Sequence, residues 1–333
     1  MSHYTTIQIN SRIPEVYSSE GAVKLPDALR VTAFADEQNP YIPTAHDNYK
    51  FRHETFRNVL GFLRKPNGDA LFIAGPTGSG KTSCITELAA RLNWPVQQIT
   101  LNGRFEFAQL KGQLQVVPPP AGSSTPVTQF IHGPLARAMK YGHILLLNEI
   151  DMADPAELAG LNDVLEGRPL VIAENRGEII KPHPMFRVVA TANSFGSGDE
   201  SGLYQGVQTQ NIASLDRYRF VKVDYPDQFV EKAILKQVCP SLIDEIVEGM
   251  VLLANHVRKL FIGTDSDGGS HAELSVTIST RNLVRWGQLA VDFRNAPNCL
   301  KYALDMALLE RCNAEDRQVI NNIAISIFGD AWG

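Results

Sequence analysis

Eight residues, Gly75-Pro76-Thr77-Gly78-Ser79-Gly80-Lys81-Thr82, follow directly on the apolar run Ala70-Leu71-Phe72-Ile73-Ala74. They match the phosphate-binding pattern G-x-x-x-x-G-K-[ST] at every fixed position. The glycines let the backbone curl so that its N–H groups converge on phosphate oxygens. A helix must come next, because Ser83 to Leu92 has amphipathic spacing, and its N-terminus adds the positive end of its dipole. Lys81 then reaches the outer phosphates, and the Thr82 hydroxyl is placed for Mg2+. Together these residues imply that the chain binds a nucleoside triphosphate.

Three further segments supply groups that could act on such a ligand. His143 to Leu147 form an apolar run that ends in Asn148-Glu149-Ile150-Asp151. In phosphate-loop enzymes a strand tip of this kind carries the Mg2+-water ligand and the group that orients attacking water. Glu149 is the candidate for polarising water. Asn148 stands where an Asp usually holds a metal-bound water; an amide can accept that hydrogen bond but brings no charge. The alternative is a buried strand whose acidic end merely faces solvent. Phe186 to Ala192 end in Asn193, which could donate to the γ-phosphate and share the water with Glu149. Arg217, in Leu215-Asp216-Arg217-Tyr218, could serve as a finger in a neighbouring subunit's site. Arg281 opens a later helical stretch and could reach the phosphates from above. For both arginines an ordinary surface ion pair remains open.

The elements needed to position these groups can be read from periodicity. Strand-like runs at Ala70–Ala74, Val96–Leu101, Ile144–Leu147, Arg187–Thr191 and Phe220–Val223 alternate with helical spacing, which predicts a parallel sheet with crossover helices. Two β-prone runs around a Pro/Gly/Ser turn predict a hairpin inserted at about 112–132, and a second hairpin is expected at about 168–184. After Tyr225-Pro226 only helical spacing remains, so the expected division is a core at 51–226 and an α-helical domain at 227–333. Residues 1–50 lack a sustained period and are expected to form an extended N-terminal arm. Gly263 to Gly269 faintly resemble a calcium loop but lack its later ligands, which favours a surface loop.

Composition limits the possibilities. The 333 residues are 44% hydrophobic and 20% charged, ordinary values for a folded chain of more than one domain. A net charge of −5 gives no electrostatic footprint for nucleic acid, which is not expected as a partner. The four cysteines have no metal-site or disulfide spacing. The opening MSHYTTIQIN has neither a basic start nor an apolar stretch, and no run approaches the length of a membrane span, so a cytoplasmic location is expected.

The ordered set GPTGSGKT, LLLNEID, VVATAN, LDRYRF and STRNLVRW resembles the AAA+ ATPases. The hairpin before HGPLARA points to their MoxR-type branch. Within it, AARLNWP, KPHPMFRVVATANSFGSGDESGLYQG and LKYALDMALLERC look most similar to the ATPase subunit of aerobic cobaltochelatases (CobS-like). The resemblance implies a five-stranded parallel α/β core with helices on both faces, inserted β-hairpins and a helical lid. It places Walker A at Gly75–Thr82, Walker B at Asn148 and Glu149, sensor 1 at Asn193, the arginine finger at Arg217 and sensor 2 at Arg281. It implies ATP and Mg2+ as ligands, with the metal held by Thr82 and, through water, by Asn148. It also implies a homo-oligomeric ring, six-membered in the family, that hydrolyses ATP to drive a chelatase or to remodel clients as a chaperone. A partner with a von Willebrand factor A domain is implied as well. Two alternatives remain open: a slow or inactive nucleotide-dependent scaffold, because of Asn148, and a nucleic-acid-directed motor of a defence system.

Overall fold

The computed structural model describes residues 4–118, 126–198, 206–263 and 274–332. Strands are numbered in chain order: β1 Tyr4–Gln8, β2 Glu15–Ser18, β3 Gly21–Lys24, β4 Arg30–Phe34, β5 Ala70–Ala74, β6 Val96–Thr100, β7 Gly112–Val117, β8 Val127–His132, β9 Ile144–Asn148, β10 Leu170–Ile172, β11 Glu178–Ile180, β12 Arg187–Ala192 and β13 Tyr218–Lys222. Five of them form one parallel sheet in the order β13-β5-β12-β9-β6. Each sheet strand lies within two residues of the range read from periodicity.

The three central strands β5, β12 and β9 are buried on both faces and read as nearly continuous apolar runs for that reason, whereas the edge strands β6 and β13 are partly exposed and mixed. Leu71 and Ile73 of β5 join one core with the helix His53–Arg64 and the helix Lys81–Arg91. Phe72, Ala70 and Ala74 join the other, with the helix Pro134–Tyr141. The first core is completed from an unexpected direction. Residues 4–34, expected as an extended arm, carry four short strands that pair as β1–β4 and β2–β3. Ile9, Ile13, Val16, Val31 and Phe34 pack into the same core as Leu71 and Leu88. Strands of four or five residues broken by turns carry too few repeats to stand out as a period, which is why the sequence reads as an arm.

The pairs β7–β8 and β10–β11 are antiparallel hairpins. The base of the first is tied to the turn end of the second: Lys111 bonds Glu174 at 2.9 Å, and His132 Nε2 lies 2.6 Å from Glu178 Oε2. The tip between residues 119 and 125 lies outside the described residues, as does the calcium-like stretch beyond Gly263.

From residue 228 onward the described residues fold into helices, Gln228–Val238, Asp244–Ile262, Thr280–Asp292, Cys299–Ala307 and Ala314–Phe328, around a third core centred on Trp286 and Met250. A buried ion pair fastens this lid internally. Arg258 grips Glu231 with two 2.7 Å bonds, and Glu231 also accepts from Thr280 Oγ1 at 2.8 Å. Both charged side chains are almost fully removed from water. Removing one partner leaves the other charge buried and bare, which typically costs about 3–5 kcal/mol. Glu231→Ala is therefore expected to lower the urea midpoint markedly, whereas Glu166→Ala, which removes an exposed partner of Arg217, should barely move it. Equal midpoints for the two variants would show that the buried pair contributes nothing.

Candidate functional site

The site sits at the carboxyl ends of β5, β9 and β12, where open α/β sheets bind ligands. Val223 N–H donates to Ala74 O at 2.8 Å and Gly75 N–H to Ala192 O at 3.3 Å, so the loop leaves β5 wedged between its two neighbours. A Cβ on Gly75 would lie 2.0 Å from Val223 O. At Gly78 the backbone has φ +70°, and a Cβ would lie 2.4 Å from Ser279 Cβ of the lid. Close approach and a left-handed backbone thus explain two of the glycines directly.

Lys81 donates to Gly75 O at 2.7 Å, Pro76 O at 2.9 Å and Asn193 Oδ1 at 2.9 Å. Thr82 Oγ1 donates to Asn148 Oδ1 at 3.0 Å, and Thr191 Oγ1 donates to the same oxygen at 3.2 Å. Four of the groups singled out in the sequence are therefore in direct contact, although they come from three separated segments. Glu149 follows Asn148 with φ 55°, a left-handed conformation that costs a non-glycine residue free energy and clusters at functional sites. It is exposed, and its N–H donates to Thr191 Oγ1 at 3.4 Å.

The residues fit the polyphosphate and its metal ion. Ser79 is 2% exposed, and its Oγ has no hydrogen-bond partner among the described residues, which leaves an orphaned polar atom inside the cradle. The Thr82 hydroxyl and the Asn148 amide oxygen present the oxygen donors that Mg2+ prefers. Beside the loop, a cleft of about 610 Å3 opens between core and lid, lined by Tyr49, Gly80, Thr86, Val230 and Arg281 among others. Arg281 is exposed on its lid wall.

Arg217 lies elsewhere. Its C=O accepts from Ala70 N–H at 2.9 Å, which places it at the opposite end of β5 from the phosphate loop. Five strand residues separate the two ends, roughly 16 Å at 3.3 Å per residue. Its guanidinium bonds Glu166 and Ala213 O.

Sequence reasoning missed several residues. Arg52 donates to Ser79 O at 2.9 Å. Tyr225 donates to Thr77 O at 3.0 Å while its ring lies under the Arg258 guanidinium, 4.3 Å away, which links the lid's buried ion pair to the loop. Asp151, noted only as part of an acidic strand tip, accepts the backbone N–H of Asn193. None of these lies in a local pattern; Asp-Tyr-Pro after the last strand was the nearest signal for Tyr225.

A family model described as "AAA domain (dynein-related subfamily)" matches residues 70–206, and one described as "CbbQ/NirQ/NorQ C-terminal" matches residues 231–325. The chain is 30% identical over 298 residues to the aerobic cobaltochelatase subunit CobS of a Sinorhizobium species, covering 88% of this chain and 84% of that one. An uncharacterized protein of Staphylococcus haemolyticus (strain JCSC1435) is 33% identical over 190 residues, 57% of this chain and 68% of its own length. Among solved structures, a RuvB mutant of Thermotoga maritima aligns with a TM-score of 0.46 and 13% identity over 84% of this chain and 72% of its own.

Burial draws the Lys81 pKa down to about 8, against the opposing pull of the Asp151 and Glu149 carboxylates. The ammonium is thus present below that pH and lost as pH rises through it. Triphosphate binding, which needs the charge, should be flat below about pH 7.5 and weaken by up to about tenfold per unit above pH 8. Lys81→Ala should abolish tight binding throughout. Calorimetric titrations across this range check both, and an affinity independent of pH would remove Lys81 as the phosphate contact.

Proposed function

Because this chain belongs to the AAA+ ATPases of the MoxR and CobS type, we propose that it binds ATP with Mg2+ and hydrolyses it in a homo-oligomeric ring that remodels a partner protein. The observation that carries this reading is the direct contact of Lys81 with Asn193 and of Thr82 with Asn148. Residues 112 positions apart in the chain meet where the γ-phosphate of a loop-bound nucleotide would lie.

The residues divide the work as follows. Backbone N–H groups of Gly75–Thr82 hold the polyphosphate, and Lys81 exchanges protein oxygens for phosphate oxygens. Thr82 and, through water, Asn148 would hold Mg2+, which would supply charge neutralisation at the phosphates. Glu149 orients water for in-line attack, and Asn193 holds the γ-phosphate in line with it. Arg281 approaches from the lid.

Arg217 points to the ring. Because it lies at the far end of β5 from its own loop, it acts on a neighbour's nucleotide, leaving Glu166 for phosphoryl oxygens. We propose six subunits, in a cytoplasmic assembly whose partner carries a von Willebrand factor A domain. The work is either chelatase-type, as the likeness to CobS supports, or chaperone-type. The two hairpins, with exposed Leu114, Val116, Val171 and Ile179, are the surface we assign to contact with that partner.

A second reading, a slow nucleotide-dependent scaffold, is favoured by one observation: the group facing Thr82 is an uncharged amide. Turnover with Mg2+ decides between the two. Glu149→Gln should keep ATP bound and reduce turnover by at least about a hundredfold, since phosphate contacts survive while water is no longer polarised. Asn148→Asp should lower the Mg2+ concentration needed for half-maximal turnover, and an unchanged titration would place residue 148 outside the metal shell.

Assembly is tested by complementation. Arg217→Ala and Lys81→Ala should each be inactive alone, and their mixture should recover activity at interfaces that pair an intact loop with an intact finger. Turnover per subunit that stays constant on dilution to a verified monomer would defeat both the ring and the finger.

A further inference from the structure

One carboxylate at the site has no role in the scheme above. Asp151 is 0% exposed, in the tight turn Ile150–Met152 that follows Glu149. Its Oδ2 accepts the backbone N–H of Asn193 at 2.8 Å and of Ser194 at 3.1 Å. It forms no salt bridge among the described residues, although the Lys81 charge acts on it through space, and its Oδ1 has no hydrogen-bond partner there. Burial pushes its pKa up, while backbone N–H bonds, those of Asn193 and Ser194 first, and the Lys81 charge pull it back. Burying a carboxylate on these terms is costly, and an apolar residue would fill the place at lower cost.

What the carboxylate holds is the chain just past β12. Ala192 is the last residue of that strand, and its C=O accepts from Gly75 N–H. The next two N–H groups have left the sheet, and Asp151 is the acceptor that receives them. The side chain of Asn193 is thereby directed: its Oδ1 meets Lys81 Nζ, and its Nδ2 has no partner among the described residues. A second tether fixes the same turn, since Asp151 C=O accepts from Gln208 N–H at 2.7 Å.

We propose that Asp151 is the positioning residue for Asn193: it couples the turn that carries Glu149 to the end of β12, so that the water-orienting carboxylate and the γ-phosphate donor keep one fixed separation. The coupling runs through the backbone N–H groups of Asn193 and Ser194, which Asp151 Oδ2 receives. Glu149 and Asn193 directly follow β9 and β12, which are neighbours in the sheet, so both lie past the strand ladder. The Glu149 N–H bond to Thr191 Oγ1 is long at 3.4 Å, and Asp151 adds the shorter tie, 2.8 Å, to Asn193 itself. In-line attack tolerates little misplacement, and a small shift costs rate before it costs binding.

This inference rests on the ATPase reading, and the experiment separates the two. Wild-type turnover is measured first; its absence would be a failure of that reading and not of this one. Asp151→Asn preserves size and one acceptor oxygen. It is expected to lower kcat by about tenfold or more while the ATP Kd changes by less than about threefold. In an Asn193→Ala background the same substitution should cost less than about twofold, because the two residues act as one unit. Selective 15N-asparagine labelling of the wild-type protein supplies a check that needs no variant to fold: the Asn193 amide should be shifted downfield and protected from hydrogen exchange. A multiplicative loss in the double variant, a parallel loss of Kd and kcat, or an unprotected Asn193 amide would each overturn the proposal.

Discussion

A lysine ammonium in a partly buried cradle must be met by oxygen, and Lys81 is met by three: two loop carbonyls and the side chain of Asn193. Everything around the site follows from that requirement. The loop has to double back so that Gly75 and Pro76 carbonyls face their own lysine, which is possible because the backbone near Gly75 and Gly78 can go where a side chain could not. β12 has to lie next to β5 so that Asn193 is within reach. The parallel order β13-β5-β12-β9-β6 supplies that neighbour although more than a hundred residues intervene.

The same polar economy extends outward. Asn148 takes two hydroxyl hydrogens, from Thr82 and Thr191, so one amide oxygen locks three elements together. An amide at this place satisfies the hydroxyls as an Asp would but adds no negative charge opposite Lys81. Asp151 and Glu149 are the carboxylates that act on Lys81, which shifts the charge of the site from the strand end to the turn beyond it. Glu149 is carried there in a left-handed conformation, a local cost that the surrounding hydrogen bonds must offset.

The lid is joined to the loop by contacts that a change in the loop would disturb. Gly78 has no room for a side chain because Ser279 lies against it, and Ser279 caps the helix Thr280–Asp292 through Asn282 N–H. Tyr225 bridges Thr77 to the Arg258–Glu231 pair. The loop, the buried ion pair and a helix terminus of the lid are thus one connected set of contacts.

The sequence by itself determined whatever is carried by contiguous residues. The phosphate loop, the five sheet strands and the lid helices are each written in a local pattern, and backbone geometry and hydrophobic periodicity make such patterns readable without a partner. Asn193 and Asn148 were legible as strand ends, but their meeting with Lys81 and Thr82 was not, because strand order is set by which apolar faces pack together. Residues 4–34 were misread for the same reason: Ile9, Ile13 and Val16 acquire a burial partner only when Leu71 and Leu88 are folded beneath them. Asp151, Tyr225 and the Arg258–Glu231 pair gave almost no local sign of their use. A buried charge or hydroxyl is tolerated only where distant groups complete its hydrogen bonds, and that completion exists in the tertiary structure alone.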